Sequence, residues 1–296
     1  MSDLMKRPDA SLASTGGASA AGASRAMTVG QLEAFLLSCF PAEDAESWDR
    51  TGLVVGDPAC LVSKVAVALD PTVSAIKAAA AAGATVLVTH HPPFLDAPDT
   101  FKPAASVACV SGAGVWEAVT KGVALMCFHT ALDVSRQAQA MLPGILGLEQ
   151  VGVLEATNPA QGKGYGQVCR FPQGQTMTLR GLASRCLAQF GRPGRVWGAL
   201  DRPLETVVTA TGAAGNLCGP AVEQGIDCLV CGELKYHAAL DLSQAGVGII
   251  ELGHDVSELP LTVPLSAAVA ASGIAESAII TLDQGANWTT PEAIRL

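Results

Sequence analysis

The segment KVAVALDPTVSAIKAAAAAGATVLVTHH, residues 64–91, decides the fold class because two short buried runs in it flank an alanine-rich stretch. The runs at 64–70 and 84–90 are predicted strands, and the stretch between them is a predicted helix. A strand, helix and strand at this spacing predict a right-handed βαβ unit with parallel strands. The unit ends on the adjacent pair His90 and His91.

The same pattern recurs along the chain. Residues 227–254 repeat the strand, helix and strand, and further strands are predicted at 122–128 and 205–211. A helix is predicted from Val29, with Thr28 as its N-cap and Pro41 as its stop. All five histidines lie in or beside segments that look like strand ends, and the carboxyl edge of parallel strands is where open α/β sheets bind ligands.

The predicted organisation is a two-lobed α/β protein with parallel-rich sheets flanked by helices and a site at the carboxyl edge of the strands. The Ser/Ala/Gly-rich stretch 1–26 is predicted to be a disordered tail, with an organellar presequence as the alternative. Residues 27–135 and 205–296 are expected to build the metal-binding lobe. Residues 136–204 are expected to form a second, structural or oligomerising lobe.

Composition limits the class of protein. A net charge of −9 and a pI near 5.0 argue against double-stranded DNA or RNA as a partner, but not against a small phosphate ester. No apolar run reaches the length of a membrane span, and nine cysteines without a secretory pattern favour a reducing cytoplasm. The CxxC of Cys228 and Cys231 lies in a strand-like run, so buried packing is favoured over redox or metal chemistry.

Imidazole and carboxylate side chains occur together in this sequence. Two histidines are each followed four residues later by a carboxylate, and a third segment offers two adjacent imidazoles. Such mixed ligands suit zinc, iron, manganese, cobalt or nickel, and a set this large is able to hold two ions. The residues concerned are His90, His91, His129 with Asp133, and His254 with Glu258.

Five motifs in this order resemble the dinuclear metal-centre family that includes YbgI, a Nif3-like family whose members are named GTP cyclohydrolase 1 type 2 homologues. They are SWDRTGLVVGDP, the double-histidine run 86–94, FHTALD, CGELKYHAALDLSQAG and GHDVSE. The resemblance covers most of the chain after the tail. One departure is Arg50, where the family usually has asparagine.

The resemblance implies two adjacent divalent metals in a cavity of a two-lobed α/β protein that assembles as a toroidal homohexamer. It also implies that His129 lies beside the metals, either as an extra ligand or as a neighbour of the ligands. The metal ligands that it implies are His90, His91, Asp133, His254 and Glu258.

Candidate proton shuttles beside such a centre are His129, Glu233 and His237. The alternatives are that Glu233 caps the helix beginning near Leu234 and that His237 lies on the exposed or sheet-facing side of that helix. The turn TGAAGN offers Thr211, Gly212 and Gly215 for an anionic substrate group, with a plain tight turn as the alternative. Trp48 is expected near the cavity, where core packing is favoured over stacking on a base. The first hypothesis is a metal-dependent hydrolase of a nucleotide-like or small phosphorylated heterocyclic substrate; the second is a metal-delivery, metal-binding or regulatory protein without catalysis.

Overall fold

The computed structural model describes residues 26–103, 110–285 and 288, so the predicted tail lies outside the described residues apart from Ala26. The strands are β1 (Thr51–Val55), β2 (Val65–Ala68), β3 (Val86–Thr89), β4 (Ala124–Phe128), β5 (Glu149–Asn158), β6 (Lys163–Arg170), β7 (Met177–Thr178), β8 (Arg195–Trp197), β9 (Pro203–Leu204), β10 (Thr206–Thr209), β11 (Cys228–Cys231), β12 (Gly248–Glu251) and β13 (Ile279–Thr281). The helices are α1 (Val29–Cys39), α2 (Val73–Ala81), α3 (Val110–Lys121), α4 (Thr130–Asp133), α5 (Arg136–Gln139), α6 (Met141–Leu146), α7 (Leu179–Phe190), α8 (Cys218–Glu223), α9 (Tyr236–Gln244), α10 (His254–Glu258) and α11 (Thr262–Ala271).

The first lobe is built on a five-stranded sheet in the order β1-β4-β3-β2-β13. Strands β2, β3, β4 and β13 are parallel, and β1 is antiparallel to β4 at the edge. The predicted βαβ unit is confirmed, with Val65 opposite Val86. Helices α1 and α11 pack on one face of the sheet and α2 and α3 on the other, so both faces of the fully buried strands β2, β3 and β4 are covered.

Helix α1 begins where the sequence predicts. The Thr28 side chain accepts a hydrogen bond from the Gln31 amide, and the Gln31 side chain accepts one from the Thr28 amide. This reciprocal pair satisfies two backbone donors that the helix cannot satisfy itself. The buried side chains of Val29, Leu32 and Leu36 then face the first sheet.

The second lobe is built on a six-stranded sheet in the order β5-β6-β10-β11-β12-β8. Only β10, β11 and β12 are parallel to one another. The predicted grouping of 205–296 with 27–135 therefore differs from the strand pairing: β10, β11 and β12 join β6 and β8, and only β13 returns to the first sheet. A local hydrophobic pattern identifies a strand but does not encode the sheet that it joins.

His237 does not lie at a strand end. It is the second residue of α9, it is exposed, and the nearest preceding strand ends at Cys231. The loop 232–235 separates the two elements, so the strand-end prediction is wrong for this histidine. The other four histidines directly follow strands or begin the helix after one.

The CxxC residues are buried in β11 on opposite faces of the second sheet. Cys228 packs with Leu179 on one side, and Cys231 packs with Ala239 on the other. Burial raises the pKa of both thiols well above the ordinary value. The prediction of buried packing residues is confirmed. Among the described residues, no helix has both the length and the apolar character to span a bilayer.

Replacing both cysteines, as Cys228→Ala/Cys231→Ala, should leave the number of thiols that react with a disulfide reagent in the native protein unchanged. The reason is that the thiolate is the reactive form and both thiols are buried. In denaturant the same titration should find two fewer thiols than in the parent chain. A lower native count or a loss of bound metal in the variant would contradict the packing role.

Candidate metal centre

Strand ends from both lobes meet at one place. His90 and His91 follow β3, and His129 follows the neighbouring parallel strand β4. From the second lobe, β12 leads through Gly253 into α10, which begins with His254 and ends with Glu258. The carboxyl ends of the parallel strands in the two sheets therefore place imidazoles opposite one another across the boundary between the lobes.

The side chains form two overlapping donor groups. His90, His91 and His129 make one group, and His91, His254 and Glu258 make the other, with the donor atoms of each group within 4.8 Å of one another. Because His91 belongs to both, the two groups are adjacent. The centroids of the His91 and His254 rings are 5.5 Å apart, although these residues come from different lobes.

Carboxylates complete the cluster. Asp133 Oδ1 lies 3.0 Å from His90 Nε2. Glu258 Oε2 lies 3.0 Å from His91 Nε2 and 3.1 Å from His254 Nε2. The structure therefore brings together all five residues that the resemblance implies as ligands, together with His129.

Two buried atoms in the cluster lack a hydrogen-bond partner among the residues that the structure describes, and they indicate which ligand the site suits. They are His90 Nδ1 and Glu258 Oε2, in residues that are 0% and 3% exposed. The Glu258 oxygen is close to two imidazole nitrogens, but neither contact has the alignment of a hydrogen bond. Leaving such atoms unpaired is costly, and nitrogen and carboxylate donors suit divalent first-row metals. These groups are able to hold a metal ion.

A second layer of carboxylates holds the imidazoles from behind. His91 Nδ1 lies 2.7 Å from Asp70, His129 Nδ1 lies 3.0 Å from Asp49, and His254 Nδ1 lies 3.0 Å from Glu233. In metal sites, such partners fix the ring orientation and the tautomer of a histidine ligand. Each pair thus directs the other ring nitrogen towards the centre of the cluster.

Sequence reasoning missed the roles of Asp70 and Asp49. Asp70 ends the predicted strand 64–70, and its position at a strand end is the signal that marks the histidines as well. Asp49 precedes the edge strand β1 and accepts from the amide and hydroxyl of Thr130 in addition to its contact with His129. Glu233 does not cap α9, whose N-cap is Lys235.

The sequence model of the family Duf34/NIF3 (NGG1p interacting factor 3) matches residues 27–283 of this chain. The chain belongs to the Duf34/NIF3 family. The match covers both lobes and the whole cluster, so the resemblance carried by the five motifs is confirmed.

Curated relatives of this Duf34/NIF3 chain carry the name GTP cyclohydrolase 1 type 2 homolog. The one from Streptomyces coelicolor is 29% identical over 228 residues, which are 75% of this chain and 78% of the relative. The one from Clostridium acetobutylicum is 27% identical over 229 residues, 76% of this chain and 83% of the relative.

Solved structures share the fold. A hypothetical protein of Staphylococcus aureus superposes with a TM-score of 0.79 at 21% identity, covering 90% of this chain and 99% of that one. Protein ybgI superposes with a TM-score of 0.74 at 17% identity, covering 90% and 100%. The two-lobed α/β fold class is confirmed.

The electrostatics of the Duf34/NIF3 centre favour an ionised Glu258 and protonated His91 and His254 when no metal is bound. Burial disfavours the charged form of His91, but Asp70 and Glu258 outweigh it and raise its pKa to about 10. Contact with Glu258 raises the pKa of His254 to about 9 against partial burial. Burial alone would raise the pKa of Glu258, yet the surrounding imidazoles hold it well below its usual range.

The pKa of Asp49 also reflects a balance between burial and hydrogen bonds. Burial alone would raise the pKa of this carboxyl, but hydrogen bonds from His129 and Thr130 outweigh burial and hold the pKa at about 2. Asp49 therefore stays ionised at neutral pH. The Asp49 carboxylate beside Nδ1 of His129 therefore fixes the orientation of this ring.

Metal binding near neutral pH should release protons from this protein. Imidazole binds metal only in its neutral form, whereas a pKa of about 10 for His91 and about 9 for His254 keeps both protonated in the metal-free chain. Apparent metal affinity should therefore rise with pH until about these values. Calorimetric titration with Zn²⁺ in buffers of different ionisation enthalpy measures the released protons; heats that are independent of the buffer would contradict the protonated state.

The glycine-rich turn after β10 contacts the cluster directly. Gly212 has a φ of +59°, and a Cβ at this position would overlap the Glu258 carboxylate. Its amide donates to Ser257 Oγ at 2.9 Å, and the Ala214 amide donates to the Glu233 carbonyl at 3.2 Å. Two amides of the turn are therefore already used within the protein. Binding of a substrate anion by Thr211, Gly212 and Gly215 stays a prediction.

Gly212→Ala should weaken metal binding at least tenfold, because the new methyl group must displace the Glu258 side chain. Gly225→Ala is the matched control, since Gly225 has a φ of +65° and open space around it. Both variants incur the strain of the left-handed conformation, about 1–2 kcal/mol. Equal metal affinity of the two variants in a chelator competition would show that Glu258 is not a ligand.

The remaining sequence predictions concern the three candidate proton shuttles and Trp48. His129 lies within the first donor group and Glu233 contacts His254, whereas His237 lies outside both groups and contacts the Tyr236 ring. Trp48 is 55% exposed, so the expectation of core packing is wrong. The Asp49 side chain contacts His129 and Thr130. The Trp48 indole and the His129 ring lie in an edge-on arrangement, with their centroids 5.8 Å apart.

Proposed function

We propose that this protein is a dinuclear, divalent-metal-dependent hydrolase acting on a nucleotide-like or other small phosphorylated heterocyclic substrate. The observation that carries the proposal is the pair of donor groups sharing His91, with the unpaired Glu258 oxygen between imidazoles of both lobes. The name of the curated relatives, GTP cyclohydrolase 1 type 2 homolog, supports ring opening of GTP as the reaction to test first.

The chain's own residues suggest how two ions would be held. His91, His254 and Glu258 would hold one ion, and His90 and Asp133, with His129 beside them, would hold the other. Zinc, iron, manganese, cobalt and nickel all suit this donor set. When bound, such ions supply a hydroxide nucleophile at neutral pH and stabilise developing negative charge.

Proton transfer is assigned to groups at the rim. His129 has the strongest support, because Asp49 holds its Nδ1 and orients the ring at the cluster. Glu233 contacts His254 and its side chain is 56% exposed, so it is able to exchange protons with solvent. His237 has weaker support because it lies outside both donor groups.

A cavity beside the centre supports a small anionic substrate. It has a volume of about 560 Å³, and its lining includes Asp49, Arg50 and Phe94. The Arg50 guanidinium lies 5.2 Å from the centroid of the Phe94 ring and donates through Nε to the Leu95 carbonyl. Within the described part of the chain its terminal nitrogens make no hydrogen bond, so they are suited to a phosphate. The exposed Trp48 indole adds a flat apolar surface beside His129.

The second candidate function is metal delivery or regulation without catalysis. One observation favours it: the His254 side chain is 38% exposed and the Glu233 side chain behind it is more exposed still, so one donor group opens to solvent. An ion held there would exchange readily. Assembly as a ring-shaped homohexamer and a cytoplasmic location are further proposals, carried by the resemblance and by the cysteine content.

The decisive experiment combines metal analysis with turnover. The parent chain, purified without chelator, should contain about two ions per chain, and His254→Ala or Glu258→Ala should each lose at least one. His237→Ala is the control, because its imidazole is outside the donor groups. Full metal content in the His254 and Glu258 variants would refute the proposed centre.

Turnover distinguishes the two candidate functions. The metal-loaded parent is incubated with GTP and a panel of nucleotides, and the products are followed by absorbance and mass spectrometry. Hydrolysis that is lost in Glu233→Ala, with metal content retained, supports the enzyme. A parent that holds metal, converts none of the substrates and transfers its ions rapidly to a chelator supports metal delivery instead.

A further inference from the structure

The chain crosses from one lobe to the other after its last strand. We call residues 282–285 together with Trp288 the C-terminal strap. The strap begins in the first lobe, where β13 pairs with β2 and the Leu282 amide donates to the Val67 carbonyl at 2.8 Å. All but its first two residues follow the last position, 283, that the Duf34/NIF3 family model matches.

Gln284 anchors the strap to the first lobe. Its side-chain oxygen accepts from the amides of Leu69 and Asp70, both at 2.8 Å, and its side-chain nitrogen donates to the Asp70 carbonyl at 2.9 Å. One amide side chain thus fixes the backbone of Asp70 on both sides. Because Asp70 holds Nδ1 of His91, Gln284 determines the position of the residue that orients His91.

Trp288 anchors the strap to the second lobe. Its indole nitrogen donates to Asp255 Oδ1 at 2.9 Å, and Asp255 immediately follows His254. The Arg192 guanidinium lies 4.5 Å from the Trp288 ring centroid, forms an ion pair with Asp255, and donates to the Gly285 carbonyl. The side chains of Arg192 and Asp255 are 19% and 14% exposed, so this contact is well shielded from solvent.

The strap therefore connects the two halves of the metal centre. His91 comes from the first lobe, while His254 and Glu258 belong to α10, which follows the last strand of the second sheet. The distance between these donors depends on how the lobes are placed. Away from the strap in the sequence, Tyr165 donates to Glu46 and Lys163 pairs with Asp44, which provides a second attachment between the lobes.

We propose that Gln284, Trp288 and Arg192 are positioning residues that hold the two lobes at the separation required for His91, His254 and Glu258 to bind one ion together. The inference rests on the proposed metal centre and adds to it. The strap acts through Asp70 and Asp255. Its loss should lower metal affinity while leaving each lobe folded, because the second attachment remains.

The test uses the full-length chain and Co²⁺, whose absorption spectrum reports the ligand geometry. Gln284→Ala and Trp288→Ala should each weaken Co²⁺ binding about tenfold or more in competition with a chelator, and should change the shape of the visible spectrum. Arg180→Ala is the matched control, because it removes another ion pair between an arginine and an aspartate of the second lobe. The side chains of this pair, Arg180 and Asp201, are 58% and 84% exposed. The control should bind Co²⁺ as the parent does.

A conservative variant covers the case in which Trp288→Ala does not fold. Trp288→Phe keeps a ring over Arg192 but removes the hydrogen bond to Asp255, and it should lie between the parent and Gln284→Ala in affinity. If Gln284→Ala and Trp288→Phe keep the Co²⁺ affinity and the spectrum of the parent, the positioning role of the strap is refuted, even if the melting temperature falls. Failure of the parent itself to bind Co²⁺ would instead refute the metal centre.

Discussion

The Glu258 carboxylate is the constraint on which the site depends. This buried group lies within hydrogen-bonding distance of His91 from one lobe and of His254 from its own helix, yet one of its oxygens has no aligned donor. A carboxylate in this position is stable only when positive charge is near, either as protons on the imidazoles or as a metal ion. The raised pKa values of His91 and His254 and the lowered pKa of Glu258 express the same requirement in the metal-free chain.

The rest of the site is arranged to keep the imidazoles fixed around this charge. Asp70, Asp49 and Glu233 each contact the rear nitrogen of one histidine, so the other nitrogen points at the cluster. These carboxylates come from three different strand ends or loops, which makes the orientation of the ligands a property of both sheets. Gly212 fits the same logic, because only a residue without a side chain leaves room for Glu258 next to the turn.

The distances between the donor atoms of this cluster depend on how the two lobes are placed, because the donors come from both lobes. Neither sheet alone supplies both His91 and Glu258. The lobes are attached by the strap, by the contacts of Lys163 and Tyr165 with the first lobe, and by the chain from α10 into α11, which packs on the first sheet. The His254 and Glu233 side chains form an exposed edge of the site.

The sequence by itself determined the βαβ units, the start of α1 at Thr28, the burial of Cys228 and Cys231, and the strand-end positions of His90, His91, His129 and His254. These features follow from short-range periodicity, capping and turn chemistry, which are written within a few residues. Only the tertiary structure decided that β10 to β12 join the second sheet, that Asp70 and Asp49 support the histidines, that Trp48 is exposed, and that Gln284 reaches Asp70 from more than two hundred residues away. Those outcomes depend on which surfaces meet when the lobes pack. A local sequence pattern does not specify which distant residues it will contact.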